Sequence, residues 1–162
     1  MWPSMFEREC SKLEIALEGT LARRIEHIGS TAVPGLAAKP IIDMCAVVSG
    51  IEAVDEVVSD LDRLGWLAAP EPSDIPQRRR SFCTPSVEWR SHHLHVVEQT
   101  SSGWRGWLAF RDHLRGSPQD AAAYAELKRT LARQAVDPND RSGYRAGKAR
   151  LIESLTRSAL DS

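Results

Sequence analysis

Between Glu26 and Asp43 the chain reads Glu26-His27-Ile28-Gly29-Ser30-Thr31-Ala32-Val33-Pro34-Gly35-Leu36-Ala37-Ala38-Lys39-Pro40-Ile41-Ile42-Asp43. Small residues, one lysine and one carboxylate follow an apolar run in quick succession, and that combination suits phosphate chemistry. Glycine lets the backbone approach a ligand closely, and the Ser30 hydroxyl and free amides can bond phosphoryl oxygens. Lys39 offers a point cation. Asp43, embedded in the apolar run from Ile41 to Val48, is a buried carboxylate that a magnesium ion would neutralise. The competing reading of Gly29-Ser30 is a plain tight turn, and that of Asp43 is a cap on a neighbouring loop or helix.

Downstream, His95 in Leu94-His95-Val96-Val97 lies in an apolar strand pattern, with His93 on the same face by strand alternation. An imidazole there can act as a base near neutral pH, bind a metal, or be a core histidine bonded to a carbonyl. Imidazoles prefer zinc to magnesium, so a cluster of His27, His93, His95 and Asp43 would form a hydrolytic or transition-metal site. Glu98 is three residues beyond His95, which on a strand is the opposite face. Arg111, Lys128 and Arg80 are candidates for holding a phosphate tail, and Tyr144 and Lys148 share a helix face at i, i+4. Alternatively Arg111 and Asp112 form an ion pair, Tyr124 and Tyr144 are core aromatics, and the Trp104, Trp107, Leu108 stripe is core.

These residues need a scaffold, and hydrophobic periodicity predicts one. Ser4 and Glu7 have capping-box spacing ahead of a helix that buries Phe6, Cys10, Leu13 and Leu17 and stops by Gly19. Arg23 to Ile28 reads as a strand, Gly29 to Lys39 as a loop with one helical turn, and Ile41 to Val48 as a central strand rich in branched residues. Ile51 to Leu64 fits a helix ended by Gly65. Three prolines make Ala68 to Gln77 an irregular loop, and Arg80 to Thr84 and Val87 to Val97 form a hairpin around Pro85-Ser86. Helices follow over Ser102 to Arg115, Pro118 to Ala135 with Ser117 as cap, and Ser142 to Leu160. The pattern predicts an α+β (mixed α/β) domain, a small mixed sheet flanked by helices with a helical C-terminal part.

The 162 residues predict one domain over 1–162, large enough for a real core. A formal net charge of −1 gives no global basic field of the kind that nonspecific nucleic-acid binding needs. Cys10, Cys45 and Cys83 have no paired spacing, which argues against a disulfide framework or thiolate zinc site and for a reducing cytoplasm. No apolar run is long enough to span a bilayer.

The run from His27 to Asp43 resembles the hallmark of the GrpB family. The likeness continues through His95, the Phe110-Arg111-Asp112-His113-Leu114-Arg115 segment, Tyr124 with Leu127-Lys128, and Tyr144 with Lys148. It covers Trp2 to about Ala159, and it implies a few further residues ahead of Trp2-Pro3. The family is similar to the nucleotidyltransferase fold, and some members are fused to the enzyme that phosphorylates dephospho-coenzyme A. The resemblance implies a nucleotidyltransferase that binds a nucleoside triphosphate with magnesium and transfers a nucleotidyl group to an acceptor. Asp43 and His95 would be catalytic and metal-binding, and Gly29, Ser30, Lys39, Arg111 and Lys128 would hold phosphate. That fold places Asp-x-Asp after Gly-Ser and a third acid on a later strand; here Ile41 stands two before Asp43, and His95 stands where the third acid belongs. Two other readings therefore stay open: a non-catalytic module for a nucleotide or coenzyme A precursor, and a metal-dependent hydrolase built on histidine and aspartate with zinc.

Overall fold

Strand formation starts at the branched run Ile42–Val48 (β2), whose side chains are apolar on both faces apart from Asp43. In the computed structural model, which describes residues 1–134 and 141–160, β2 pairs antiparallel with β1 (Glu26–Ile28) and parallel with β5 (Arg90–Glu98). The hairpin partner of β5 is β4 (Arg79–Pro85), and the short β3 (Leu67–Ala68) closes the edge. The result is a five-stranded mixed sheet in the order β1-β2-β5-β4-β3. The chain is thus α+β, as its periodicity predicts.

Two helices bury one face of this sheet. Helix α1 (Trp2–Ala16) contributes Phe6, Cys10 and Leu13, and α2 (Ala53–Arg63) contributes Val54 and Leu61. They pack on Met44, Ala46 and Val48 of β2, Leu94 and Val96 of β5 and Phe82 of β4. Each fully buried leucine there stabilises the fold by about 1.5–3 kcal/mol relative to an exposed one. Helix α2 ends at Leu64 in a left-handed Gly65, φ +84°, with Gly65 N–H donating to Asp62 O and Trp66 N–H to Leu61 O. That bonding satisfies two carbonyls that the helix end would otherwise leave open, and only glycine takes the turn without strain.

Sequence and structure differ at three starts, the plainest being β5, which begins at Arg90 and not at Val87. The Ser4–Glu7 capping box does not form: α1 begins at Trp2, and Ser4 Oγ donates back to Met1 O at 3.0 Å from inside the first turn. Pro3, which has no N–H to leave unbonded, suits that first turn and draws the start upstream. Strand β1 is shorter than Arg23 to Ile28, because the preceding segment bonds differently: Ala22 N–H reaches Val47 O, and Leu21 makes an isolated bridge to Val48.

The chain divides into two compact units, Met1–Ala32 with Ala38–Trp104, and Val33–Ala37 with Arg105–Ser162. The sheet, α1 and α2 belong to the first. The second holds most of α3 (Gly103–Gly116), α4 (Pro118–Gln134) and α5 (Arg141–Leu160). Ser117 caps α4, its Oγ accepting from Asp120 N–H at 3.3 Å. Val33, Leu36, Leu114, Tyr124 and Ala125 form the core of this unit. Ala135 and the side chain of Tyr144 lie outside the described residues.

Candidate functional site

Strand alternation splits the sheet chemically. The registers Asp43↔His93, Cys45↔His95 and Ser81↔His95 set Asp43, His93, His95, Ser81 and Arg79 on the face opposite α1 and α2. One ligand atom each from Asp43, His93 and His95 can be chosen so that all lie within 4.8 Å of one another. Nδ1 of His93 stands 3.2 Å from Oδ1 of Asp43, and the two side chains are 16% and 32% exposed, open enough to meet a ligand from solvent. A carboxylate only accepts, so the shared proton sits on His93 Nδ1. Arg90 Nη1 lies 3.5 Å from Nε2 of the same ring.

Gly29 completes this corner. It follows Ile28, the Cα partner of Asp43, and turns with φ +72°. A Cβ at Gly29 would run into Oδ2 of Asp43 and lie 3.1 Å from its Cβ and Cγ, so the turn can press on the carboxylate only as glycine. Ser30 opens a single 3-10 turn, Ser30–Ala32, closed by Ala32 N–H donating to Gly29 O at 3.2 Å. Lys39 is exposed on the loop back into β2.

A chain of polar groups backs His95. Ser81 Oγ donates to Asp74 Oδ1 at 2.9 Å and lies 3.4 Å from His95 Nδ1, and Arg79 Nε donates to the same Asp74 oxygen at 2.7 Å. Burial alone would raise the Asp74 carboxyl, but the Glu71 amide, Arg79 and Ser81 outweigh it and hold Asp74 below the usual carboxylate range. Burial likewise pushes the His95 imidazole down, against the nearby charge of Asp43, so the ring is neutral at pH 7. Asp74 and Ser81 are not among the residues that spacing singles out, and Arg79 stands out only as part of the basic cluster Arg78-Arg79-Arg80, whose ordinary reading is a solvated charged face. The available signal was the alternation Arg79, Ser81, Cys83 on a hairpin strand facing His95, which only the strand register makes readable.

Other predicted members fall elsewhere. His27 is on the α1 face, its ring stacked on Phe6 at a centroid distance of 4.9 Å. Thr31 Oγ1 spends its proton on Ile41 O at 3.1 Å, so His27 Nε2, 3.0 Å away, donates to Thr31. His27 is therefore a clamp on the Gly29 to Ile41 loop and no part of the Asp43 cluster. Arg80 also lies on the helical face and pairs with Asp55 of α2 at 3.2 Å. Glu98 has the face its three-residue offset predicts; it binds Arg78 and the Ile51 amide, at 2.6 and 3.2 Å.

Arg111 and Lys128 belong to the second unit. Arg111 is buried and bidentate to its neighbour Asp112, at 2.7 and 3.0 Å. Lys128 donates to Ala37 O at 2.6 Å and sits over the Tyr124 ring, 4.9 Å from its centroid. Burial, with Lys148 and Arg129 close by, pulls its ammonium down to about 8.

The family model described as GrpB protein matches residues 1–158. The chain belongs to the GrpB family. A GrpB-family relative, a UPF0157 protein of Pseudomonas aeruginosa, is 38% identical over 98% of this chain, and the match spans 64% of that protein's length. The crystal structure of conserved protein GrpB from Enterococcus faecalis superposes with a TM-score of 0.84 at 33% identity, covering 99% of this chain and 93% of that one. A dephospho-CoA kinase of Mycolicibacterium paratuberculosis is 30% identical over 99% of this chain, which corresponds to 44% of the kinase.

The magnesium that the GrpB resemblance implies is a hard ion that takes oxygen ligands in octahedral geometry. The cluster offers one carboxylate and two imidazoles. Of these three only the Asp43 carboxylate is a ligand of the kind magnesium takes, and the two imidazoles are not; no step of the reaction proposed for the chain is routed through the ion.

Proposed function

We propose that this GrpB-family chain binds a nucleoside triphosphate at the Gly29 turn and transfers its nucleotidyl group to an acceptor. The observation that carries this reading is the convergence of Asp43, His93 and His95 beside a turn that must be glycine. The Gly29–Ser30 backbone and the Ser30 hydroxyl hold phosphoryl oxygens. Lys39, on the exposed end of the same loop, neutralises phosphate charge as a point cation. His95, neutral at pH 7, takes the proton of the acceptor group that attacks the α-phosphate while pyrophosphate leaves, and Asp43 accepts the Nδ1–H of His93 beside it. Arg111 and Lys128, which family resemblance alone assigns to phosphate, belong to the second unit and carry no part of this reading. Calorimetry with a panel of nucleoside triphosphates tests the reading: saturable binding is expected for the natural chain and its loss for Asp43→Asn. Equal binding by both proteins would remove Asp43 from the site.

A second reading is a module that binds a coenzyme A precursor without transferring anything. The similarity to the Mycolicibacterium dephospho-CoA kinase favours it, as does Ile41 in place of a second acid. Dephospho-coenzyme A binding in the same calorimeter, with no product from labelled triphosphate over long incubation, would select it.

A further inference from the structure

We infer that Asp43, His93 and His95 form a three-ligand site for an imidazole-seeking first-row divalent ion of the zinc class, with Ser81 and Asp74 orienting His95 toward it. Two observations meet here, and the orientation of His95 adds a third. The donor set is one carboxylate and two imidazoles, the composition of catalytic zinc sites that leave one position open for water or substrate. The 3.2 Å between His93 Nδ1 and Asp43 Oδ1 is close to the edge, about 3.3 Å, of a tetrahedron of donors about 2.0 Å from an ion. An ion in this corner takes the place of the hydrogen on His93 Nδ1, and the ring stays neutral by carrying that hydrogen on Nε2, from which Arg90 Nη1, now 3.5 Å away, must turn aside.

The orientation of His95 follows from counting protons. Ser81 has one hydroxyl hydrogen, and it goes to Asp74 Oδ1, which also accepts from Arg79 Nε while Oδ2 accepts from the Glu71 amide. Toward His95, Ser81 can therefore only accept, so the imidazole hydrogen is on Nδ1 and the lone pair is on Nε2. A hydrogen bond from the far nitrogen to a carboxylate, carbonyl or hydroxyl is the usual way a ligating imidazole is held and its basicity raised. Ser81 and Asp74 are thus positioning residues, and Asp74 acts only through Ser81.

The inference concerns the same corner as the proposed nucleotide site, but it stands on the donor set and is tested without nucleotide. Tag-free chain is stripped with chelator and titrated with cobalt(II), whose visible bands are strong in a tetrahedral field. Expected are one equivalent bound per chain, displacement by zinc, and no displacement by a roughly 100-fold excess of magnesium. His93→Ala should abolish the bands, and Ser81→Ala should weaken binding about 10- to 100-fold with the bands retained. Far-UV circular dichroism separates a lost site from a lost fold, and the wild-type competition needs no variant. Absence of stoichiometric cobalt, displacement by magnesium, or unchanged binding in His93→Ala would overturn the inference. Nucleotide calorimetry in chelator then judges the phosphate site separately: binding there with no cobalt site leaves the nucleotide reading standing alone, and the reverse leaves the metal alone.

Discussion

Gly29 and Asp43 depend on each other, and the dependence can be measured. Alanine at Gly29 carries two costs: a left-handed φ of +72°, on the order of 1–3 kcal/mol, and a Cβ driven into the Asp43 carboxylate. Gly19 has the same kind of backbone, φ +80°, with nothing within 4 Å of its would-be Cβ. Gly19→Ala should therefore lose only the conformational part, whereas Gly29→Ala should lose more in chemical denaturation and also displace Asp43. If the two variants lose equal stability, Gly29 does not press on the carboxylate. Each position stands out in the sequence, because an acid inside Ile41 to Val48 and a glycine after an apolar run each break a local pattern, but their contact does not, since it depends on the Ile28–Asp43 register. Which nitrogen of each imidazole is a donor does not stand out there either, since that depends on the single hydroxyl hydrogens of Thr31 and Ser81 and on where they go.

Among the elements, β5 is tied to the start of α2 by one carboxylate. Glu98 Oε2 accepts from Arg78 at 2.6 Å and from the Ile51 amide at 3.2 Å, and Thr100 Oγ1 donates to Oε1. Arg78 holds φ +46° while making this contact. The hydrogen bonds from Arg78 and then Thr100 bring the Glu98 carboxyl down to about 2, despite its burial. Because the folded value lies below the unfolded one, the unfolded chain takes up protons first as pH falls. The stabilisation is whole above about 4.5 and is lost as pH drops through the window to about 2. Glu98→Gln should thus be less stable than wild type at pH 7, with the two denaturation curves converging at acid pH; a gap independent of pH would show that the charge is idle. The core is simpler: Leu13→Ala or Leu94→Ala, both fully buried, should each cost about 2–5 kcal/mol in urea unfolding. Periodicity found α1, α2, β2 and the β4–β5 hairpin, because their apolar residues repeat at 3.6 or 2. It missed β3, which is only two residues long, and could not divide Arg78-Arg79-Arg80, because alternation sends Arg79 to the Asp74 face and Arg80 to Asp55 only once the register with Val97 and Val96 is fixed.

For the molecule as a whole, two imidazoles whose pKa is lowered in the fold, His92 and His95, act on stability at a higher pH than the carboxylates do. His92, on the α1 face, has its ring edge-on to Trp66 at 6.1 Å, and its Nε2 has no hydrogen-bond partner among the described residues. Burial lowers the pKa of His92, and of His95, below the ordinary histidine value of 6.5. The sign follows directly: the unfolded chain binds a proton near 6.5 while the folded chain still refuses it, so stability falls as pH goes from 6.5 toward the lower folded value. Each such group contributes at most about 1.4 kcal/mol per pH unit within that window. His92→Leu removes the contribution on the helical face and leaves the Asp43 face untouched. Urea unfolding in chelator at pH 7.0 and 5.5 should therefore show a drop for the natural chain and a smaller one for His92→Leu. The drop that survives in the variant comes from the remaining titrating groups, His95 among them, and a variant that loses as much as wild type would mean that His92 is already protonated in the fold.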